Sequence, residues 1–310
     1  MNLSIVVPCY NEEEVLPETA KRLTGLLGRL QHSGKISENS KIYFVDDGSK
    51  DRTWEVIEAL SGTYPAVHGL KLSRNRGHQN ALLGGLFTAE GDALVSIDAD
   101  LQDDIDAIEE MVDAYHEGYD IVYGVRKART TDTPFKRATA EGFYKLMHLM
   151  GVDIVFNHAD FRLMSRRAVE ELKQYPEVNL FLRAMVPLIG YPSTQVYYDR
   201  AERFAGESKY PLKKMLAFAW DGITSFSVVP LRLITATGFV IFIASILISL
   251  WAVGIKLFTD DAVPGWASTV LPIYFIGGIQ VFSIGIVGEY IGKMYLETKR
   301  RPRFIIEKSV

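Results

Sequence analysis

The sequence predicts an α/β protein: a mostly parallel sheet with helices on both faces, followed by a C-terminal transmembrane helical hairpin. Three observations carry this. Residues 1–125 alternate short, near-continuously apolar runs with helical patterns. Polar and charged residues collect directly after each apolar run. Two long uncharged stretches stand near the C-terminus, 23 residues from Leu233 to Ile255 and 27 from Ala262 to Gly288.

In chain order, LSIVVP (3–8), KIYFVD (41–46), VHGLKLS (67–73), DALVSID (92–98) and DIVYGV (120–125) read as strands. They are short and β-branched, as strands buried on both faces are. Helical patterns lie between them, at 13–30, 52–61, 78–89 and 104–117. This alternation winds into a parallel sheet covered on both sides. Residues 157–200 add a strand at DFRLMS, two helical patterns and a strand at TQVYYDR.

Each C-terminal run is longer than the ~20 residues that cross a bilayer. The segment between them, KLFTDDAVPG, is short, so the two form a hairpin. Residues 200–232 and 289–310 each hold six Lys/Arg, including KRRPR at 299–303. Basic flanks stay cytoplasmic. The expected plan is a large cytoplasmic unit over 1–210 and a juxtamembrane amphipathic helix over 211–230. Membrane helices then follow at about 233–257 and 266–290, within 231–292, and a basic cytoplasmic tail covers 293–310. FKRATAEGFYKLMHLM (135–150) and PLKKMLAFAWDGITSF (211–226) suit the headgroup plane.

Bulk composition agrees. The chain is 48% apolar and 23% charged, enough for a packed core. Its net charge of −4 argues against nucleic acid. The single cysteine, Cys9, allows no internal disulfide and fits a reducing compartment. MNLSIVVPCYNEEE lacks a basic n-region and reads as a strand and acidic loop, not a signal peptide.

In sheets of this kind ligands bind beyond the carboxyl ends of the strands. There the sequence places PCYNEEE, DDGSKDRT, SRNRGHQNA, DADLQDD and Arg126. No G-x-G-x-x-G follows the first strand and no Walker A motif occurs, which argues against dehydrogenases and P-loop NTPases. Asp98 and Asp100 alternate at a strand end, with Gln102 beyond. Hard divalent cations take one or two such carboxylates together with substrate phosphates. Asp103 and Asp104 open DDIDAIEEMVDAY, where acids suit a helix N-terminus.

PCYNEEE, VDDGSKDRT, RNRGHQNA, DADLQDD, ADFRLMSR and RFAGESKYPL occur in this order. Together they resemble the family-2 glycosyltransferases with the GT-A fold, more narrowly the polyprenyl-phosphate glycosyltransferases related to dolichyl-phosphate mannose synthase. The resemblance covers essentially the whole chain, including the hairpin. It implies a nucleotide-sugar pocket at Pro8, Tyr10, Asn11 and Glu12, with Asp46 and Asp47 at base and ribose. It implies a donor and metal site for Mg²⁺ or Mn²⁺ at Asp98, Ala99, Asp100 and Gln102. Asp100, Asp160 and Arg162 become the catalytic set, the last two beside the transferred sugar and the acceptor phosphate. Arg126, Arg137, Arg203, Ser208 and Lys209 become the phosphate- and acceptor-binding set.

The implied reaction is inverting transfer of a sugar from a nucleotide donor to a polyprenyl phosphate. UDP-glucose or UDP-N-acetylglucosamine with undecaprenyl phosphate is the expectation, with GDP-mannose as the alternative. The implied place is the bacterial cytoplasmic membrane, multi-pass, with the catalytic unit inside. Gly277, Gly278, Gly285, Gly288 and Gly292 suit close helix packing in a homo-oligomer. A processive polysaccharide synthase would need more membrane helices and a Q-x-x-R-W motif, and a non-catalytic sensor would not need the Asp98/Asp100/Gln102 set.

Overall fold

The computed structural model describes residues 1–127, 158–199, 220, 223–225, 227–258 and 265–310. The segment at 135–150 and most of the one at 211–230 lie outside these.

The strands are β1 (Leu3–Cys9), β2 (Lys41–Asp46), β3 (Val67–Leu72), β4 (Ala93–Ser96), β5 (Ile121–Arg126), β6 (His158–Ser165), β7 (Ser193–Tyr198) and β8 (Ile306–Ser309). The helices are α1 (Leu16–His32), α2 (Thr53–Thr63), α3 (His78–Thr88), α4 (Ala107–His116), α5 (Arg166–Lys173), α6 (Leu182–Leu188), α7 (Val229–Phe258) and α8 (Trp266–Thr298). The strands form one sheet in the order β7-β5-β6-β4-β1-β2-β3-β8.

All seven residues of β1 are buried, because the strand runs through the middle of the sheet. Its side chains alternate between two cores. Leu3, Ile5 and Val7 pack with the apolar faces of α1 and α4. Val6 faces Ala81, Leu82 and Leu86 of α3 on the other side. In α1, Leu16, Ala20, Leu23, Leu27 and Leu30 recur at helical spacing and are all buried. Each fully buried Leu or Ile contributes about 1.5–3 kcal/mol. Pro8 stands in this central strand without conflict. β4 pairs with β1 only from Leu3 to Val6, so the missing N–H falls beyond that ladder.

Two features depart from a simple parallel winding. β6 inserts between β4 and β5 and runs antiparallel to both, with Ser96 opposite Arg162. Its start therefore lies at the carboxyl edge of β4, which carries Asp160 to the place where Asp98 emerges. The second departure concerns residues 293–310, expected as a basic tail. α8 continues to Thr298 and the chain then returns to the sheet as β8, antiparallel to β3. β8 covers an edge that β3 would otherwise leave open.

α7 encloses the first uncharged run and α8 most of the second. Phe275–Thr298 of α8 is long and apolar enough to cross a membrane. Phe239, Leu250, Phe275, Val281, Phe282 and Ile284 are all exposed, which suits an apolar solvent around the hairpin.

α3 crosses the sheet closely at Gly85. A Cβ there would stand 2.3 Å from Val6 Cγ1 and 2.8 Å from Val45 Cγ2. Helix propensity favours alanine over glycine by about 1 kcal/mol, whereas overpacking costs about 1–3 kcal/mol. Gly85→Ala is therefore expected to lower the thermal midpoint of the purified protein. Gly62→Ala, at an open position of α2, should leave it unchanged or raise it.

Candidate active site

The carboxyl edge is knitted by hydrogen bonds between its loops. Asn11 takes a left-handed φ of 55°. Its N–H donates to Ser49 Oγ at 3.0 Å, and its side-chain carbonyl accepts from Lys50 N–H at 2.9 Å. Glu12 N–H donates to Thr53 Oγ1 at 2.9 Å. The loop after β1 is thus locked to the loop after β2. Gly48 (φ 65°) allows a further close approach, since a Cβ there would lie 2.6 Å from the Arg74 carbonyl carbon.

Of the residues expected to hold a nucleotide, Tyr10 is 40% exposed at the rim. Asp46 is fully buried, and Oδ1 accepts from Ser49 N–H at 2.9 Å. Its Oδ2 is buried with no hydrogen-bond partner among the described residues. Asp47 is placed differently. Its two oxygens accept from the N–H groups of Arg76 (2.7 Å) and Gly77 (2.8 Å). It fixes the loop before α3, and burial raises its pKa despite those bonds. Ala99 contributes its carbonyl, which accepts from Thr19 Oγ1 at 2.9 Å.

Asp98 and Asp100 leave β4 in a turn whose Leu101 has φ 56°. Gln102 N–H donates to Asp100 Oδ1 at 3.2 Å, which fixes that carboxylate. Burial pushes the Asp98 carboxyl up to about 6; His78 opposes the rise, and Asp103, Asp160 and Asp100 add to it. His78 Nε2 lies 3.4 Å from Asp98 Oδ1 and 3.8 Å from Asp160 Oδ2. Asp160 has the opposite environment. Burial alone would raise its pKa, but Arg183 and Arg162, then His78, hold it well below the usual carboxylate range. Arg162 Nη2 donates to Asp160 Oδ1 at 2.8 Å and Arg183 Nε at 3.4 Å.

Three sequence expectations change. Arg162, expected beside the substrates, is only 2% exposed. Its Nη1 donates to the Leu182 carbonyl at 3.3 Å, so it supports Asp160 from behind. Asp103, expected to serve the N-terminus of α4, is 4% exposed and accepts from Tyr198 Oη (2.5 Å) and Arg126 Nη2 (3.1 Å). Arg126, expected at a phosphate, is turned into that pair and also donates to Tyr198 Oη at 3.3 Å. A buried carboxylate needs such a partner more than a solvated helix end needs an acid. Asp104 keeps the expected role and accepts from Asp106 N–H at 3.0 Å, just before the helix. Arg137, Arg203, Ser208 and Lys209 lie outside the described residues.

Sequence reasoning assigned no role to Arg76, His78, Arg183 or Tyr198. The first two lay in SRNRGHQNA, whose place after β3 marked it as part of the site. Arg183 sits in α6, and no local pattern points from there to Asp160.

Comparison with known proteins fits this geometry. The description "Glycosyl transferase family 2" matches residues 4–173, and "GtrB C-terminal hairpin" matches residues 229–294. The chain is 56% identical to the uncharacterised glycosyltransferase YkoT of Bacillus subtilis, over 98% of this chain and 91% of that one. It is 42% identical to the SfII prophage-derived bactoprenol glucosyl transferase of Shigella flexneri, over 100% and 98%. Among solved structures, mannosyl-3-phosphoglycerate synthase from Rubrobacter xylanophilus superposes with a TM-score of 0.50 at 14% identity, covering 77% of this chain and 75% of that one. That likeness shows a shared fold. With the mixed sheet, its acidic edge and the hairpin in place, the chain belongs to glycosyl transferase family 2 and carries a GtrB-type hairpin over residues 229–294.

Proposed function

We propose that the protein transfers glucose from UDP-glucose to a polyprenyl phosphate of the bactoprenol class, with inversion at the anomeric carbon. The observation that carries this is the meeting of Asp98 and Asp160 at His78, whose Nε2 lies 3.4 Å from the one and 3.8 Å from the other at the carboxyl edge of the sheet. The bactoprenol glucosyl transferase name of a full-length relative at 42% identity supports the sugar and the acceptor class. The hairpin, with its exposed apolar surface, supports a membrane-embedded acceptor and a multi-pass anchor.

A divalent cation, Mg²⁺ or Mn²⁺, fits the Asp98 side. Burial raises Asp98 and the carboxylates of Asp103, Asp160 and Asp100 add to it, so added positive charge is favoured there. Among the described residues no group of three or more His, Cys, Asp and Glu forms a ready-made cage. Two carboxylates, Asp98 and Asp100, suit a cation completed by a substrate diphosphate. When bound, such a cation neutralises charge on the departing nucleoside diphosphate. The unpartnered Asp46 Oδ2 suits a donor on the nucleotide's base or ribose.

The acceptor asks little of a base. A phosphate monoester has its second pKa near ~6 and is mostly dianionic at neutral pH. One of its oxygens attacks the anomeric carbon, the bond to the diphosphate oxygen breaks, and UDP leaves. Asp160, held ionised by two guanidiniums, is a weak base and acts by position.

Purified protein in detergent, given a panel of nucleotide sugars and undecaprenyl phosphate, is expected to yield a glucosyl lipid by mass spectrometry. A mannosyl or N-acetylglucosaminyl product would replace glucose in this reading. Asp98→Asn should lower kcat by about 10²–10³, and chelation should abolish wild-type turnover until Mg²⁺ or Mn²⁺ is restored. Asp160→Asn should lower kcat by about 10²-fold while the donor KM stays near wild type. A donor KM that rises in parallel would place Asp160 on the nucleotide instead.

A further inference from the structure

We propose that the cleft between the start of α3 and the segment 178–183 seats the acceptor's phosphate, with Arg76 and Arg183 as its cations. This rests on the acceptor class proposed above. The cleft has a volume of about 520 Å³, and its walls include Arg76, His78, Asp160, Val178, Leu180 and Arg183.

Charge is the first argument. Arg76 and Arg183 put two guanidiniums on the lining, and Arg162 supports Asp160 from behind. Guanidiniums bind phosphate oxygens strongly. Arg76 Nε is buried without a partner among the described residues. A buried donor left unpaired is unfavourable unless a ligand supplies an acceptor.

The second argument is the wall opposite α3. Val178 and Asn179 donate their backbone N–H groups to the Glu297 carboxylate at 2.8 Å and 2.9 Å, and Asn179 Nδ2 donates to it at 2.6 Å. Glu297 stands in the last turn of α8, so one wall of the cleft is held by the hairpin itself. Val178 and Leu180 offer apolar lining for the carbons next to the phosphate. Across the cleft, His78 stands between Asp160 and Asp98, so a phosphate seated here faces the donor side of the site.

The test uses the full-length protein in detergent, with farnesyl phosphate as the probe and farnesol as its uncharged counterpart. Binding is measured by calorimetry without donor, so the result does not depend on which sugar is transferred. The wild type is expected to bind farnesyl phosphate saturably. Arg76→Gln should weaken that binding about tenfold or more, leave farnesol binding unchanged, and leave the UDP-glucose KM within about twofold. Arg183→Gln should weaken farnesyl phosphate similarly, with an added loss of kcat through Asp160. Three outcomes would overturn the proposal: no saturable binding by the wild type, equal losses for farnesyl phosphate and farnesol, or a raised donor KM with farnesyl phosphate affinity intact. The last would assign the cleft to the donor's diphosphate.

Discussion

Carboxylates crowd the carboxyl edge of this sheet, and the site depends on how each is compensated. Asp46 accepts from a backbone N–H of its own loop, and Asp47 from two of the loop before α3. Asp100 accepts from the turn it begins. Asp103 has a guanidinium and a phenol, and Asp160 has two guanidiniums. Asp98 faces the His78 imidazole at 3.4 Å, and burial, with Asp103, Asp160 and Asp100 adding to it, raises its pKa. Asp98 is therefore a point on this edge where a ligand's positive charge is favoured.

The parallel half of the sheet was legible because its strands are continuous apolar runs with polar loops after them. α1 was legible from the spacing of its leucines. The pairing of β6 between β4 and β5 was not, since apolar alternation does not say which neighbour a strand takes. β8 was hidden by composition: IEKS is too short and polar to read as a strand, and it forms because β3 offers an open edge. The same limit applies in the site. DADLQDD announced a charged turn, but its four aspartates divide by partner. Asp100 and Asp104 accept from N–H groups two residues on, whereas Asp103 finds Tyr198, 95 residues on, and Asp98 faces His78 from another loop. Sequence gives the charge that needs an answer, and tertiary contact chooses the answer.

The chain leaving α8 ties the hairpin to the catalytic sheet at several levels. Within the hairpin region, Tyr290 Oη donates to the Ser227 carbonyl at 2.5 Å and Lys293 Nζ to Ser225 Oγ at 2.9 Å, which joins α8 to the segment before α7. Glu297 holds the 178–179 backbone. Arg303 Nη2 donates to the Tyr175 carbonyl at 2.7 Å, Phe304 packs near Phe87, and β8 joins β3. An isolated anchor would need only one connection. This series of contacts ties the end of α8 to the acidic edge of the sheet.

The opposed environments of Asp98 and Asp160 also order the substrates in the proposed reading. Two guanidiniums bond Asp160, whereas His78 approaches both carboxylates. A nucleotide diphosphate without its cation is repelled by the Asp98 side, and with its cation is attracted. A phosphate monoester is repelled there as well, but is attracted on the Asp160 side whether or not a cation is present. Two anions that would otherwise compete for one basic patch are therefore sorted by what accompanies them. A uniformly basic site would bind both substrates and leave their relative places undefined, whereas this division holds the attacking oxygen on one side of the sugar and the leaving diphosphate on the other.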